Sequence, residues 1–221
     1  MARVLLGATG SVAAIKVPEL YLALRGAGHT VRIVATEPAL YFFQPADLVF
    51  DPPDADQILF RDADEWPAEG WSRGDLVVHI ALREWADILM LAPLDANTLA
   101  KMALGLADNC LTCVLRAWDF ARPMVLAPAM NTRMWQSPIT RRHLAQILAD
   151  HGDGRHRDDW TLEEAPEVFA RHAPNVVLVP PQAKRLACGD FGVGAMADVP
   201  AIAEVVRRWG VETSVGQPPP A

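Results

Sequence analysis

The chain has 221 residues, 51% of them hydrophobic, 21% charged and 7% aromatic, which is enough for one core that buries about 70% of the unfolded surface without disulfide or metal staples. A formal charge of −7, with 27 acidic against 20 basic residues, speaks against a nucleic-acid binder, whose affinity comes from Lys and Arg clustered on phosphates. Three cysteines make no disulfide framework and point to a reducing, cytoplasmic setting.

At the N-terminus, Arg3 to Ala8 is a continuous apolar run that reads as a buried strand. Gly7 and Gly10 break it and Lys16 follows, so it does not read as a signal peptide. Ser11 to Arg25 has helical spacing, and Val31 to Ala35 repeats the strand signature. Leu76 to Ile80, with His79 near its end, and Ile88 to Ala92 are read as two further strands. Helices follow over Ala96 to Leu104 and Asn109 to Trp118, then a strand over Met124 to Ala127, a helix over Pro138 to Ala149 and a strand over Val176 to Val179. The strands are short and continuous rather than alternating, as strands covered on both faces should be. Their alternation with helices predicts an α/β fold with a parallel, doubly wound sheet in a single domain. That domain spans residues 1–210, and residues 211–221, which end in three prolines, read as a disordered tail. No stretch of eighteen apolar residues runs without a charge, so no membrane span is expected.

One connection is too long for its type. Roughly 25 residues separate the helix ending near Ala149 from the strand at Val176, against about 2 to 6 for an ordinary αβ loop. The stretch near 150–175 carries Asp153, Asp158, Asp159, Glu163, Glu164 and Glu167. Thr161 and Glu164 have capping-box spacing, while Pro166 suits a helix that starts one turn later. It reads either as a tolerated surface insertion or as a lid that selects substrate.

Three turns at the carboxyl edge of the predicted sheet could meet one ligand. The first, Gly7-Ala8-Thr9-Gly10-Ser11-Val12, lacks the dinucleotide glycine spacing but has glycine at the bend and a hydroxyl at a helix N-cap, where free N–H groups favour a phosphate. The second, Pro93-Leu94-Asp95-Ala96-Asn97-Thr98, is small and polar. The third, Pro128-Ala129-Met130-Asn131-Thr132-Arg133-Met134-Trp135, brings an amide, two thioethers and an indole. Each could also be ordinary capping and core filling. His79 alone reads more readily as a satisfied core histidine than as a base. Cys188, in the glycine-punctuated loop Lys184 to Ala197 just after two cations, reads as an activated or a spectator thiol. Cys110 and Cys113 lack a second pair for zinc and read as core residues, so no metal is expected.

Taken together, GSVAAIK at Gly10 to Lys16, VVHIALREWADILMLAPLDANTLAKMALGLADN at Val77 to Asn109, LTCVLRAWD at Leu111 to Asp119, APAMNTRMW at Ala127 to Trp135 and RLACGDFGVGAMA at Arg185 to Ala197 resemble the homo-oligomeric flavin-containing cysteine decarboxylases. The nearest branch is the free-standing phosphopantothenoylcysteine decarboxylases of coenzyme A biosynthesis. The resemblance implies a Rossmann-like, flavodoxin-like subunit that binds FMN at a subunit contact within a trimer, sometimes assembled into a dodecamer. It assigns cofactor contacts to Gly10, Ser11, Val12, Thr36, Ala96, Asn97, Thr98 and Ala129. It makes His79, Asn131 and Cys188 catalytic, and places substrate against Asn131, Met134, Arg185 and Ala187. Asp95 departs from the family's serine, and a carboxylate there is unfavourable unless it is hydrogen-bonded or points away. Pro38 and Ala39 stand where relatives carry hydroxyls.

The implied reaction oxidises the cysteinyl Cβ–S unit so that the resulting thioaldehyde can take up the charge left by CO₂, giving an enethiol. His79 handles protons, Asn131 holds the carboxylate, and Cys188 gives a proton to the enethiol carbon while reduced FMN would return the hydride, so that a saturated thiol leaves and the flavin is regenerated. Two substrates fit: phosphopantothenoylcysteine, and the C-terminal cysteine of a ribosomal precursor peptide destined for an aminovinyl-cysteine. The stand-alone chain and its acidic stretch favour the peptide, and the motifs favour the small molecule. A non-catalytic flavoprotein regulatory subunit is the alternative of another class.

Overall fold

The computed structural model describes residues 1–48, 57–155, 159–185, 189 and 191–212. Six strands form one parallel sheet: β1 (Arg3–Ala8), β2 (Thr30–Ala35), β3 (Leu59–Phe60), β4 (Ile88–Leu94), β5 (Met124–Pro128) and β6 (Val176–Leu178), in the order β3-β2-β1-β4-β5-β6. Without the two-residue β3 this is the flavodoxin-like order, and with it the order is that of the dinucleotide-binding sheet. Both have a switch point where the chain leaves β1 for one side and returns as β4 on the other.

Helices cover both faces. They are α1 (Val17–Gly26), α2 (Asp62–Glu65), α3 (Val78–Trp85), α4 (Ala96–Leu104), α5 (Cys110–Ala117), α6 (Thr132–Trp135), α7 (Pro138–His151), α8 (Ala165–His172) and α9 (Val199–Glu212). Successive strand residues alternate between two cores, as the pleat requires. Val4, Leu6, Ile88 and Met90 pack with α1 and α9, whereas Leu5, Leu89 and Leu91 pack with α3, α5, α7 and α8.

Two expectations fail. Leu76 to Ile80 is not a strand: Val78 and Leu82, one helical turn apart, face the core of α3, while Leu76 and Val77 remain exposed. The β-branched run suggested a strand, but the first-turn N–H of His79 is bound by Glu65 from the preceding segment, which starts a helix here. The glycine-punctuated stretch Lys184 to Ala197 is not simply a loop either. β7 (Gln182–Arg185) and β8 (Phe191–Ala195) pair as an antiparallel hairpin. β8 packs closely against the turn after β5 because Gly194, at φ +148°, backs directly onto the Met130 carbonyl, where a side chain would collide.

The acidic stretch is anchored by its apolar residues. Trp160, Ala165, Phe169 and Ala173 are buried against the layer that includes α7 and β6, while Asp153, Asp159, Glu163, Glu164 and Glu167 are exposed. Pro166 opens α8, and the Thr161 N–H to Glu164 Oε2 bond of 2.7 Å belongs to the turn before it. Phe169→Leu is expected to cost about 1 kcal/mol in denaturant unfolding with turnover unchanged; lost turnover at full stability would instead make this stretch part of the site.

Candidate active site

One buried hydroxyl joins the two turns at the switch point. Thr9 Oγ1 donates to the Pro93 carbonyl at 2.8 Å and accepts from the Asp95 N–H at 2.7 Å. Asp95 in turn caps α4, its Oδ1 accepting from the Thr98 N–H at 2.8 Å. The departure at Asp95 is thereby accommodated, because the carboxylate sits at the positive end of a helix with a hydrogen bond. Gly10 lets the turns after β1 and β2 touch: a Cβ there would come within 2.6 Å of Pro38 Cβ. Ser11 follows as an N-cap, with its hydroxyl accepting from the Ala13 N–H at 3.3 Å.

A cavity of about 810 Å³ opens at this edge, lined among others by Ser11, Val12, Ala129, Asn131, Arg185 and Met196. Its volume lies within the range of about 300 to 1,000 Å³ usual for small-molecule and cofactor sites. The turn after β5 is held rigidly, since the Met130 N–H donates to the Gly194 carbonyl at 2.9 Å. Asn131 N-caps α6, and its Oδ1 accepts from the Met134 N–H at 2.8 Å. That bond fixes which end of the amide faces the helix and leaves Nδ2, a pure donor, for whatever occupies the cavity. Lys184 and Asp198 pair beside it, which holds the Asp198 carboxyl below its ordinary range.

The expected site residues are thus partly assembled. Ser11, Val12, Ala129, Asn131 and Arg185 share the cavity, and Gly10 borders it. Thr36, Ala96, Asn97, Thr98 and Met134 do not line it. Thr36 is buried, with its hydroxyl 3.5 Å from the Ala8 carbonyl, Thr98 is buried within α4, and the Met134 side chain is exposed. Ala187 and Cys188 lie outside the described residues.

His79 stands elsewhere. It occupies the first turn of α3, on the sheet face opposite α1 and α9, and is not among the residues of the cavity. Glu65 Oε1 lies 2.6 Å from its Nδ1, and Glu65 Oε2 accepts its backbone N–H at 2.7 Å. Beside them, burial and then the Glu65 charge push the Cys110 thiol far up. It stays protonated and acts as a core residue, as its sequence context indicated; Cys113 is only half-buried.

Sequence reasoning assigned nothing to Thr9 or Glu65. A hydroxyl between Ala8 and Gly10 was a signal for the first. For the second there was none, because fourteen residues separate it from its partner.

A protein-family model described as Flavoprotein matches residues 1–154. A phosphopantothenoylcysteine decarboxylase of Oryza sativa subsp. japonica is 46% identical over 93% of this chain and 79% of its own length. A solved cysteine-to-serine mutant of PPC decarboxylase, complexed with pantothenoylaminoethenethiol, is 42% identical with a TM-score of 0.75, covering 95% of this chain and 98% of that one. The FMN-binding protein AtHal3 is 42% identical with a TM-score of 0.73, over 96% and 97% of the two chains.

Proposed function

The chain belongs to the Flavoprotein family, and from that premise we propose that it is an FMN-dependent decarboxylase of an N-acylated C-terminal cysteine, converting 4′-phosphopantothenoylcysteine to 4′-phosphopantetheine. The observation that carries this reading is the shared cavity, in which the helix-capping turn at Ser11 and the outward amide of Asn131 line one volume.

The residues present fit FMN. The turn at Ser11 and Val12 offers the Val12 N–H and the Ser11 hydroxyl at the start of a short 3-10 helix for a phosphate, and Val12, Ala129 and Met196 offer apolar walls for a ring. When bound, the flavin supplies two-electron chemistry to a substrate whose acylated nitrogen cannot reach a carbonyl cofactor.

The protein's own groups do the rest. Asn131 Nδ2 donates to the substrate carboxylate and orients it without a full positive charge that would retain it. His79 moves the proton of the cysteinyl thiol, and Arg185 lies where it can meet the substrate's negative charge. Thr36, Ala96, Asn97 and Thr98 support the cofactor turns from behind, and Met134 flanks the amide.

The absence of His79 from the cavity that Asn131 lines supports a site completed between copies in a trimer. Exposed Trp66, Trp71, Leu76 and Val77 near His79, and Val12 and Ile15 at the cavity, supply apolar surface for that contact. A dodecamer of such trimers, joined by their remaining faces, belongs to the same reading. A cytoplasmic location accompanies this reading, and among the described residues no helix is long and apolar enough to cross a membrane.

The test is an absorption spectrum followed by anaerobic mixing with phosphopantothenoylcysteine and, separately, with a peptide ending in cysteine. Yellow protein that releases CO₂ and phosphopantetheine only from the first is expected. Colourless protein that takes up no added FMN, or turnover of the peptide alone, overturns the reading.

A further inference from the structure

The tetrad Asp62-Ala63-Asp64-Glu65 is a single helical turn, α2, that closes two other helices at once. Asp62 Oδ1 accepts the Cys110 N–H at 2.9 Å, at the first residue of α5. Glu65 Oε2 accepts the His79 N–H at 2.7 Å, in the first turn of α3. The Glu65 side chain is only 6% exposed and the His79 side chain 22%. A carboxylate so buried needs compensation. It receives the His79 N–H, the ring Nδ1 and the positive ends of two helices.

We infer that Glu65 is a positioning residue for His79, holding the imidazole in its Nδ1–H tautomer and in one orientation so that Nε2 is the nitrogen that exchanges protons with substrate. The chemistry of the contact sets the tautomer. A carboxylate oxygen that accepts at 2.6 Å puts the hydrogen on Nδ1, and in the neutral ring Nε2 then carries the lone pair. Glu65 also grips the backbone of the residue whose ring it orients, which fixes both ends of the side chain. A base oriented by a third group is the general arrangement in which an imidazole works efficiently. Neighbouring Cys110, with Sγ 4.0 Å from Oε2, stays protonated and so adds no charge that would compete for the imidazole.

The inference rests on the acid–base role given to His79 above, and its test separates the two. In trimeric holoprotein labelled with ¹⁵N-histidine, the His79 ring signals are identified by their loss in His79→Asn. The wild type is expected to show a protonated Nδ1 and an unprotonated Nε2 in the neutral ring. Glu65→Ala is expected to move His79 toward the Nε2–H form and lower kcat about 10- to 100-fold, with KM and flavin content little changed. Glu65→Gln offers one acceptor where Glu65 now serves two donors: its carbonyl goes to the His79 backbone N–H, which can only donate, and its NH2 then faces Nδ1, so the Nε2–H form and a lowered kcat are expected here too. An unaltered tautomer in Glu65→Ala overturns the inference whatever the rate. A changed tautomer at full kcat upholds the tautomer lock and instead removes His79 from the chemistry.

Discussion

Co-expressed His79→Asn and Asn131→Asp chains are expected to recover about a quarter of the wild-type rate, although each variant alone is expected to lose about 10²- to 10⁴-fold in kcat. The losses follow from what each change removes. Asparagine at 79 cannot shuttle a proton near neutral pH. Aspartate at 131 still caps α6, because its carboxylate can accept the Met134 N–H that Oδ1 now accepts. It replaces the Nδ2 donor with a negative oxygen facing the substrate carboxylate, so folding and flavin content stay while binding of the anion fails. The recovery follows from geometry. His79 lies on the α3 face and Asn131 at the cavity on the α1 and α9 face, and in the proposed trimer each site takes one residue from each of two neighbours. Random assembly pairs an intact His79 with an intact Asn131 of the partner subunit in about one site in four. Kinetics on the unselected oligomer mixture, with differential tags to report its composition, check this. If mixed oligomers stay as inactive as their parents, the two residues do not meet across a subunit contact.

That division of the site shows where the sequence was readable and where it was not. Five of the six parallel strands are legible because each is a run of apolar residues buried on both faces. The two residues of β3 are too few to leave a pattern. α4 and α5 are legible to within a residue because Asp95 and Asn109 cap them from inside the chain segment that forms them. α3 was not, because its start is fixed by a carboxylate fourteen residues upstream, and local β-branching pointed the other way. The same holds for β7 and β8. Gly192 and Gly194 look like loop punctuation, yet they are glycines because Thr132 and the Met130 backbone press against them.

At the site itself, residue type could nominate Ser11, Asn131 and His79, but not say which share a cavity. That depends on which face of the sheet each helix covers, and so on the alternation along β1 and β4 rather than on spacing in the chain. The buried Thr9 hydroxyl makes the same point on a smaller scale. It holds the first turn against Pro93 and Asp95, more than eighty residues away, so the shape of the cofactor edge is a tertiary property even where its residues are contiguous.

Cys188→Ser is expected to change the product rather than merely slow its formation. Loss of CO₂ from an oxidised cysteine leaves an enethiol, and the saturated thiol results only if a proton reaches the enethiol carbon as the electrons return. A thiol, with an ordinary pKa of about 8.5, can give that proton near neutrality, and a serine hydroxyl, a far weaker acid, cannot. Asn131 and His79 are untouched, so decarboxylation itself should continue. Anaerobically, the variant should release about one equivalent of CO₂ per site and stop, with its flavin bleached. Mass spectrometry should then find a product two hydrogens lighter than phosphopantetheine. In air, where the flavin can be reoxidised, turnover should resume and the lighter product accumulate. Saturated thiol at the wild-type rate would place the proton donor elsewhere, and Glu65→Ala should help to locate it: an imidazole freed from its tautomer lock would alter the product ratio only if His79 were that donor.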